Sequence, residues 1–74
     1  MSQLHTEIRA KRNILREIYG GMMSANDLHR ELGMEPEAAS KLMLANGIGN
    51  RIGKRVKFET DMVAKFIVER RGMA

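Results

Sequence analysis

The chain has no cysteine and no tryptophan, one proline, two histidines and only three aromatic residues, Tyr19, Phe58 and Phe66. Without cysteine there is no disulfide scaffold, and His5 and His29 alone are too few for a structural zinc site, so no metal is expected. No run approaches the roughly 20 apolar residues of a membrane span, and the opening MSQLHTEIRAKR lacks the apolar core of a secretory leader. The expected location is the cytoplasm. With so few aromatics, Leu, Ile, Val and seven methionines must fill the interior of a 74-residue chain. That length supports one hydrophobic core, and 43% hydrophobic residues at regular spacing exclude intrinsic disorder.

What is abundant is positive charge, and it is unevenly placed. The net charge of +4 divides into +2 for residues 1–23, −2 for residues 24–46 and +4 for residues 47–74. A sequence pI near 10 points to a polyanionic partner, which would meet the two ends of the chain more than its middle.

Residues 2–19 carry Leu4, Ile8, Leu15 and Ile18 as one stripe on a helical period, with Arg9, Arg12 and Arg16 on another side and Gly20-Gly21 as the stop. Met22-Met23 reads as one extended step. Ser24 is a good N-cap, with Asp27 in the place of a capping-box acid, for a helix with Leu28 and Leu32 inward and Gly33 at its end. Pro36 then opens a helix to about Ala45, with Ala39, Leu42 and Met43 inward and Asn46-Gly47 as its stop. Leu42-Met43-Leu44 covers more than one helix face, which leaves Leu44 pointing outward. From Ile48 the period becomes two, with Ile52, Val56 and Phe58 among Arg51, Arg55 and Lys57, and Gly53-Lys54 between the runs predicts a hairpin. Thr60 is expected to cap a last helix with Val63, Phe66 and Ile67 inward and Arg70 and Arg71 in its final turn.

Two motifs fail on inspection. Gly47-Ile48-Gly49-Asn50-Arg51-Ile52 begins like a dinucleotide fingerprint but ends on Ile52 and precedes a hairpin, not a helix. Gly49 to Lys54 is one residue short of a phosphate-binding loop and is followed by Arg55 where Ser or Thr is required. No serine, threonine or histidine spacing suggests a nucleophile and base. An enzyme is not expected, nor a small-molecule cofactor.

Two short helices joined by a tight Gly-containing turn form a helix-turn-helix pattern over about Ser24 to Ala45. Alone this is a common packing corner. Here a hairpin bearing Arg51, Lys54, Arg55 and Lys57, with no acid among them, follows directly. Such an order can place the second helix in a major groove while the wing meets phosphates or the adjacent minor groove.

The stretch from Met22 to Arg71 resembles the excisionase-type winged helix-turn-helix, related to the MerR DNA-binding fold. The matching pieces are Ser24 with Asp27, Leu32-Gly33, the run Arg51-Ile52-Gly53-Lys54-Arg55-Val56-Lys57-Phe58, and Asp61 to Ile67. The expected fold is mainly α with a small β-hairpin. It would comprise a winged helix-turn-helix over residues 22–74 and an extra N-terminal helix over residues 1–21 packed on it. The resemblance implies a double-stranded DNA-binding protein of a phage or mobile element: a recombination directionality factor that bends DNA, or a local transcription regulator. Expected partners are DNA, further copies on adjacent sites or a recombinase, with no membrane.

The chain departs from that pattern at His29, where the family has a small residue at the helix contact; this predicts a wider crossing or a partly exposed ring. It departs again at Glu35, where Ser or Thr usually caps the second helix. On this reading Glu37, Ser40 and Lys41 lie nearest the bases, Arg51, Lys54, Arg55 and Lys57 hold the backbone, and Arg9, Arg12 and Arg16 supply further backbone contacts. Glu35 and Glu37 near the groove-facing helix start repel phosphates, although Glu can accept from the cytosine amino group. The second reading is a protein-interaction module that keeps the fold without groove reading, suggested by the acidic middle segment and by Leu44.

Overall fold

A computed structural model describes residues 3–72; residue 2 of the expected first helix and the side chain of Arg71 lie outside the described residues. Four helices and three short strands follow in the order α1 Gln3–Tyr19, β1 Met22–Met23, α2 Ala25–Leu32, α3 Pro36–Ala45, β2 Asn50–Ile52, β3 Arg55–Glu59 and α4 Thr60–Gly72. The fold is a helix-turn-helix and β-hairpin wing preceded by an N-terminal helix. The strands form one antiparallel sheet in the order β1-β3-β2, so the expected extended step at Met22-Met23 becomes the far edge of the wing sheet.

Local chemistry explains most boundaries. The Ser24 Oγ accepts from the Asp27 amide at 3.2 Å while the Asp27 carboxylate accepts from the Ser24 amide at 2.9 Å, a complete capping box at the start of α2. Pro36 supplies a fixed φ in the first turn of α3, whose preceding residue Glu35 makes no side-chain cap. At the other end, the Ile48 amide donates to the Met43 carbonyl (2.9 Å) and the Gly47 amide to the Leu44 carbonyl (3.0 Å). This paired closure turns the chain back so that Ile48 and Met43 both enter the core.

The core draws on every element except β2, whose three residues are exposed. Leu15 of α1, Met23 of β1, Leu28 of α2, Ala39 and Met43 of α3, Phe58 of β3 and Val63 and Ala64 of α4 form one cluster, with Ile48 beside them. Phe58, opposite Met23 in the sheet register, is its largest buried side chain.

Three expectations need correction. The apolar stripe of α1 includes Leu4 and Ile18 in the sequence, but Leu4 is 38% and Ile18 60% exposed. Burial instead follows Ile8, Lys11, Arg12, Leu15 and Tyr19, because α1 lies chiefly along α4 and turns its far side to solvent. Thr60 does not cap its own helix. Its hydroxyl, fully buried, donates to the Gly20 carbonyl (2.7 Å) and its amide to the Gly21 carbonyl (3.0 Å), tying the start of α4 to the end of α1. Ile52 does not share a face with Val56 and Phe58, as the alternation along the chain suggests. The two-residue loop Gly53-Lys54 pairs Ile52 with Arg55 and Arg51 with Val56, which puts Ile52 on the outer face, 56% exposed.

One polar cluster pins α1 to α2. The Tyr19 hydroxyl donates to Glu31 Oε2 at 2.6 Å, and Lys11 Nζ lies 3.7 Å from Glu31 Oε1. The bond to Glu31, which a phenolate could not donate, pushes the Tyr19 pKa up from 10.0 to about 12, with burial and the negative charges of Glu31 and Asp27 adding to it. A pKa raised in the folded state contributes stability that is complete below the unfolded value of 10.0 and is lost as pH rises through about 12. Tyr19 is the only tyrosine and there is no tryptophan, so phenolate absorbance reads this group alone. The titration midpoint is expected near 12 in the native protein, falling back toward 10 in Glu31→Gln. An unchanged midpoint in that variant would rule out the Glu31 bond as the cause.

Candidate nucleic-acid interface

The wing is set by its turn. Gly53 has φ +64° and Lys54 a negative φ, the pattern of a type II′ hairpin loop, whose twist matches that of the strands it joins. Successive residues of a strand alternate faces, and directly paired residues share one. Arg55 and Lys57 therefore lie on the outer face with Asn50 and Ile52, Arg51 lies on the opposite side at the sheet edge beside Val56, and Lys54 stands at the tip. Arg51, Lys54 and Arg55 are exposed and Lys57 is half-buried. Among the described residues, none of the four forms an ion pair.

The wing is rooted at Gly49. Its φ of +138° is one that residues with a Cβ rarely adopt, and a Cβ there would sit 2.7 Å from Leu44 Cδ2 and 3.2 Å from the Phe58 ring. The backbone thus runs flush against the side chains of α3 and β3, fixing where the hairpin leaves the core.

On α3 the inward positions are Ala39 and Met43, with Leu42 packed beside them. The opposite face presents Glu37, Ala38, Lys41, Leu44 and Ala45, all exposed, while Ser40 is half-buried at its flank. Glu37 and Lys41 pair with each other across one helical turn, Oε1 to Nζ 3.6 Å, with side chains 84% and 77% exposed. Of the two carboxylates that count against phosphate binding in the sequence, Glu37 thus has a cation beside it, while Glu35 is exposed and forms no ion pair among the described residues. Leu44 points outward, as expected from the sequence, and is 48% exposed. The ring of His29 is exposed, and its Nδ1 lies 2.6 Å from the Met34 carbonyl. A carbonyl only accepts, so Nδ1 carries the proton and the bond braces the turn between α2 and α3.

The three arginines of α1 do not act together. Arg9 is exposed and Arg12 is half-buried. The Arg16 guanidinium grips Asp61 at the start of α4 in a fork of 2.7 and 3.2 Å, an interaction across 45 residues that no local pattern announces. Arg16 is engaged in holding α1 to α4, and Arg9 is the most available of the three.

Among the described residues no three His, Asp or Glu side chains gather as a metal site, and no helix is long and apolar enough to cross a membrane. Comparison with protein-family models, with curated proteins and with solved structures found no match to this chain.

Proposed function

We propose that this protein binds double-stranded DNA, with α3 in the major groove and the hairpin on the phosphate backbone. The observation that carries the reading is the wing itself: four cations, free of acidic partners among the described residues, on a hairpin that follows a helix-turn-helix directly. The three exposed cations, Arg51, Lys54 and Arg55, with no ion-pair partner among the described residues, give up little on meeting phosphates, and each phosphate they neutralise releases condensed counterions. Lys54 at the tip and Arg55 and Lys57 on the outer face suit the backbone, and Arg51 on the other side of the sheet suits the groove wall. Arg9, exposed on α1, would supply a further backbone contact. The role that fits so small a domain is that of an excisionase-like architectural factor or a local regulator of a phage or mobile element, associated with the nucleoid. Binding of further copies to adjacent sites is part of this proposal.

The test is fluorescence anisotropy on a random duplex across a salt series, beside a variant with Arg51, Lys54, Arg55 and Lys57 all changed to Gln. Wild type is expected to bind with Kd of roughly 10⁻⁴–10⁻⁶ M at physiological salt, tightening as salt falls. The variant's log–log salt slope should be shallower by about 0.9 for each phosphate that its side chains cease to neutralise. A folded wild type that binds nothing at low salt would end the DNA reading in favour of a protein partner at Leu44. An unchanged slope in the variant would remove the wing from the mechanism.

A further inference from the structure

We infer that Glu37 and Lys41 of α3 act as a pair to read one G·C base pair; the inference rests on the DNA reading above. The two side chains are the only long polar ones on the exposed face of α3, with Leu44 on one side of them and the small residues Ala38 and Ala45 on the other. They stand one helical turn apart, with the carboxylate and ammonium 3.6 Å from each other. An exposed pair of this kind adds little to the fold, so its members are free to turn outward at small cost to the domain.

Across the major groove a G·C pair offers two neighbouring acceptors, N7 and O6 of guanine, and then a donor, the amino group of cytosine. The matching protein surface is a cation followed by a carboxylate, close together. Lys41 supplies donors for N7 and O6, and Glu37 accepts from the cytosine amino group. An A·T pair offers acceptor, donor, acceptor and a methyl group, so the same surface meets a donor with its ammonium and an acceptor with its carboxylate. In the reverse orientation thymine O4 still faces Lys41 and adenine N6 still faces Glu37, but the thymine methyl stands in place of guanine N7 and costs Lys41 one of its two acceptors. Only G·C, in one orientation, gives Lys41 both acceptors and Glu37 its donor. The carboxylate is then a reading group, and its neighbour cancels its repulsion for the backbone.

The test is selection from a randomised duplex library, at a salt concentration where wild type binds, for wild type, Glu37→Ala, Glu37→Gln and Lys41→Gln. Wild type is expected to enrich G·C at a fixed position, preferring it by about 5- to 150-fold over A·T. Glu37→Ala should weaken that preference to what Lys41 alone gains from guanine N7 and O6, while leaving duplex binding in place. Glu37→Gln should move the preference toward adenine, which a carboxamide reads through N6 and N7. Lys41→Gln should weaken the guanine preference and leave the rest of the site unchanged. Wild type that binds with the expected salt slope but enriches no base pair overturns this inference and leaves the DNA reading standing. So does a G·C preference that is undiminished in Glu37→Ala. Wild type that binds no duplex overturns both.

Discussion

Phe58→Ala is expected to remove most of the stability of this domain. Phe58 is fully buried, is the largest side chain of the core and sits opposite Met23 where β3 meets β1. Truncating a buried phenylalanine typically costs about 3–5 kcal/mol, the transfer free energy of the ring plus the cavity it leaves. A chain of 74 residues has, at about 0.05–0.15 kcal/mol per residue, a total of only ~4–11 kcal/mol to lose. The circular-dichroism midpoint in urea should fall steeply, and the lower part of that range predicts a variant unfolded without denaturant. Phe58→Leu, which keeps an apolar branched group of closer volume, should retain most of the wild-type midpoint. A Phe58→Ala midpoint within experimental error of wild type would mean that the core is centred elsewhere.

The second large effect is expected at Gly49→Ala. The φ of +138° costs a residue with a Cβ on the order of 1–3 kcal/mol before any clash is considered. The new methyl then meets two neighbours of different character. Leu44 Cδ2, at 2.7 Å, is the free end of a half-exposed side chain and can swing away. The Phe58 ring edge, at 3.2 and 3.3 Å, is locked in the core and cannot. Adding Leu44→Ala should therefore recover only the smaller share of the loss, which a double-mutant cycle on urea midpoints will separate. Gly21→Ala is the control: nothing lies within 4 Å of its Cβ and its φ is not positive, so its effect should stay within about 0.5 kcal/mol. If the two alanine variants prove equally stable, the conformation of the wing root is wrong. Because the wing leaves the core at Gly49, this variant also links packing to function: a displaced hairpin should weaken duplex binding with its four cations intact.

What the sequence made legible was what short-range chemistry decides. The capping box at Ser24 and Asp27, the proline start of α3, the closure at Asn46-Gly47 and the loop Gly53-Lys54 each satisfy their bonds within a few residues, and each boundary falls where those residues place it. The features that were not legible depend on partners distant in the chain. Ile18 fits a helical stripe as well as Tyr19 does; only the position of α4 and the bond to Glu31 select Tyr19. Thr60 has the chemistry of a cap, but a backbone carbonyl 40 residues earlier takes its hydroxyl. Ile52 alternates correctly along its own strand and still lands outside, because the loop length sets the register, and the register decides the face. In the candidate site, the type and number of wing cations were readable. Their division between two faces was not, nor was the withdrawal of Arg16 by Asp61. The pairing of Glu37 with Lys41 is visible as i, i+4 spacing, yet its meaning depends on which face of α3 the core leaves open.

The joint between Gly20, Thr60, Arg16 and Asp61 also governs how the molecule bears load. The chain enters this joint along α1 and leaves it along α4, so the two helices run side by side and away from it together. Tension drawn through their outer ends would peel one helix from the other a turn at a time, the weak geometry of a zipper, and would reach the Thr60 bond last. A pull on the two flanks of the domain would therefore part α1 from α4 before it loads the Thr60 bond and the β1–β3 pairing beside it.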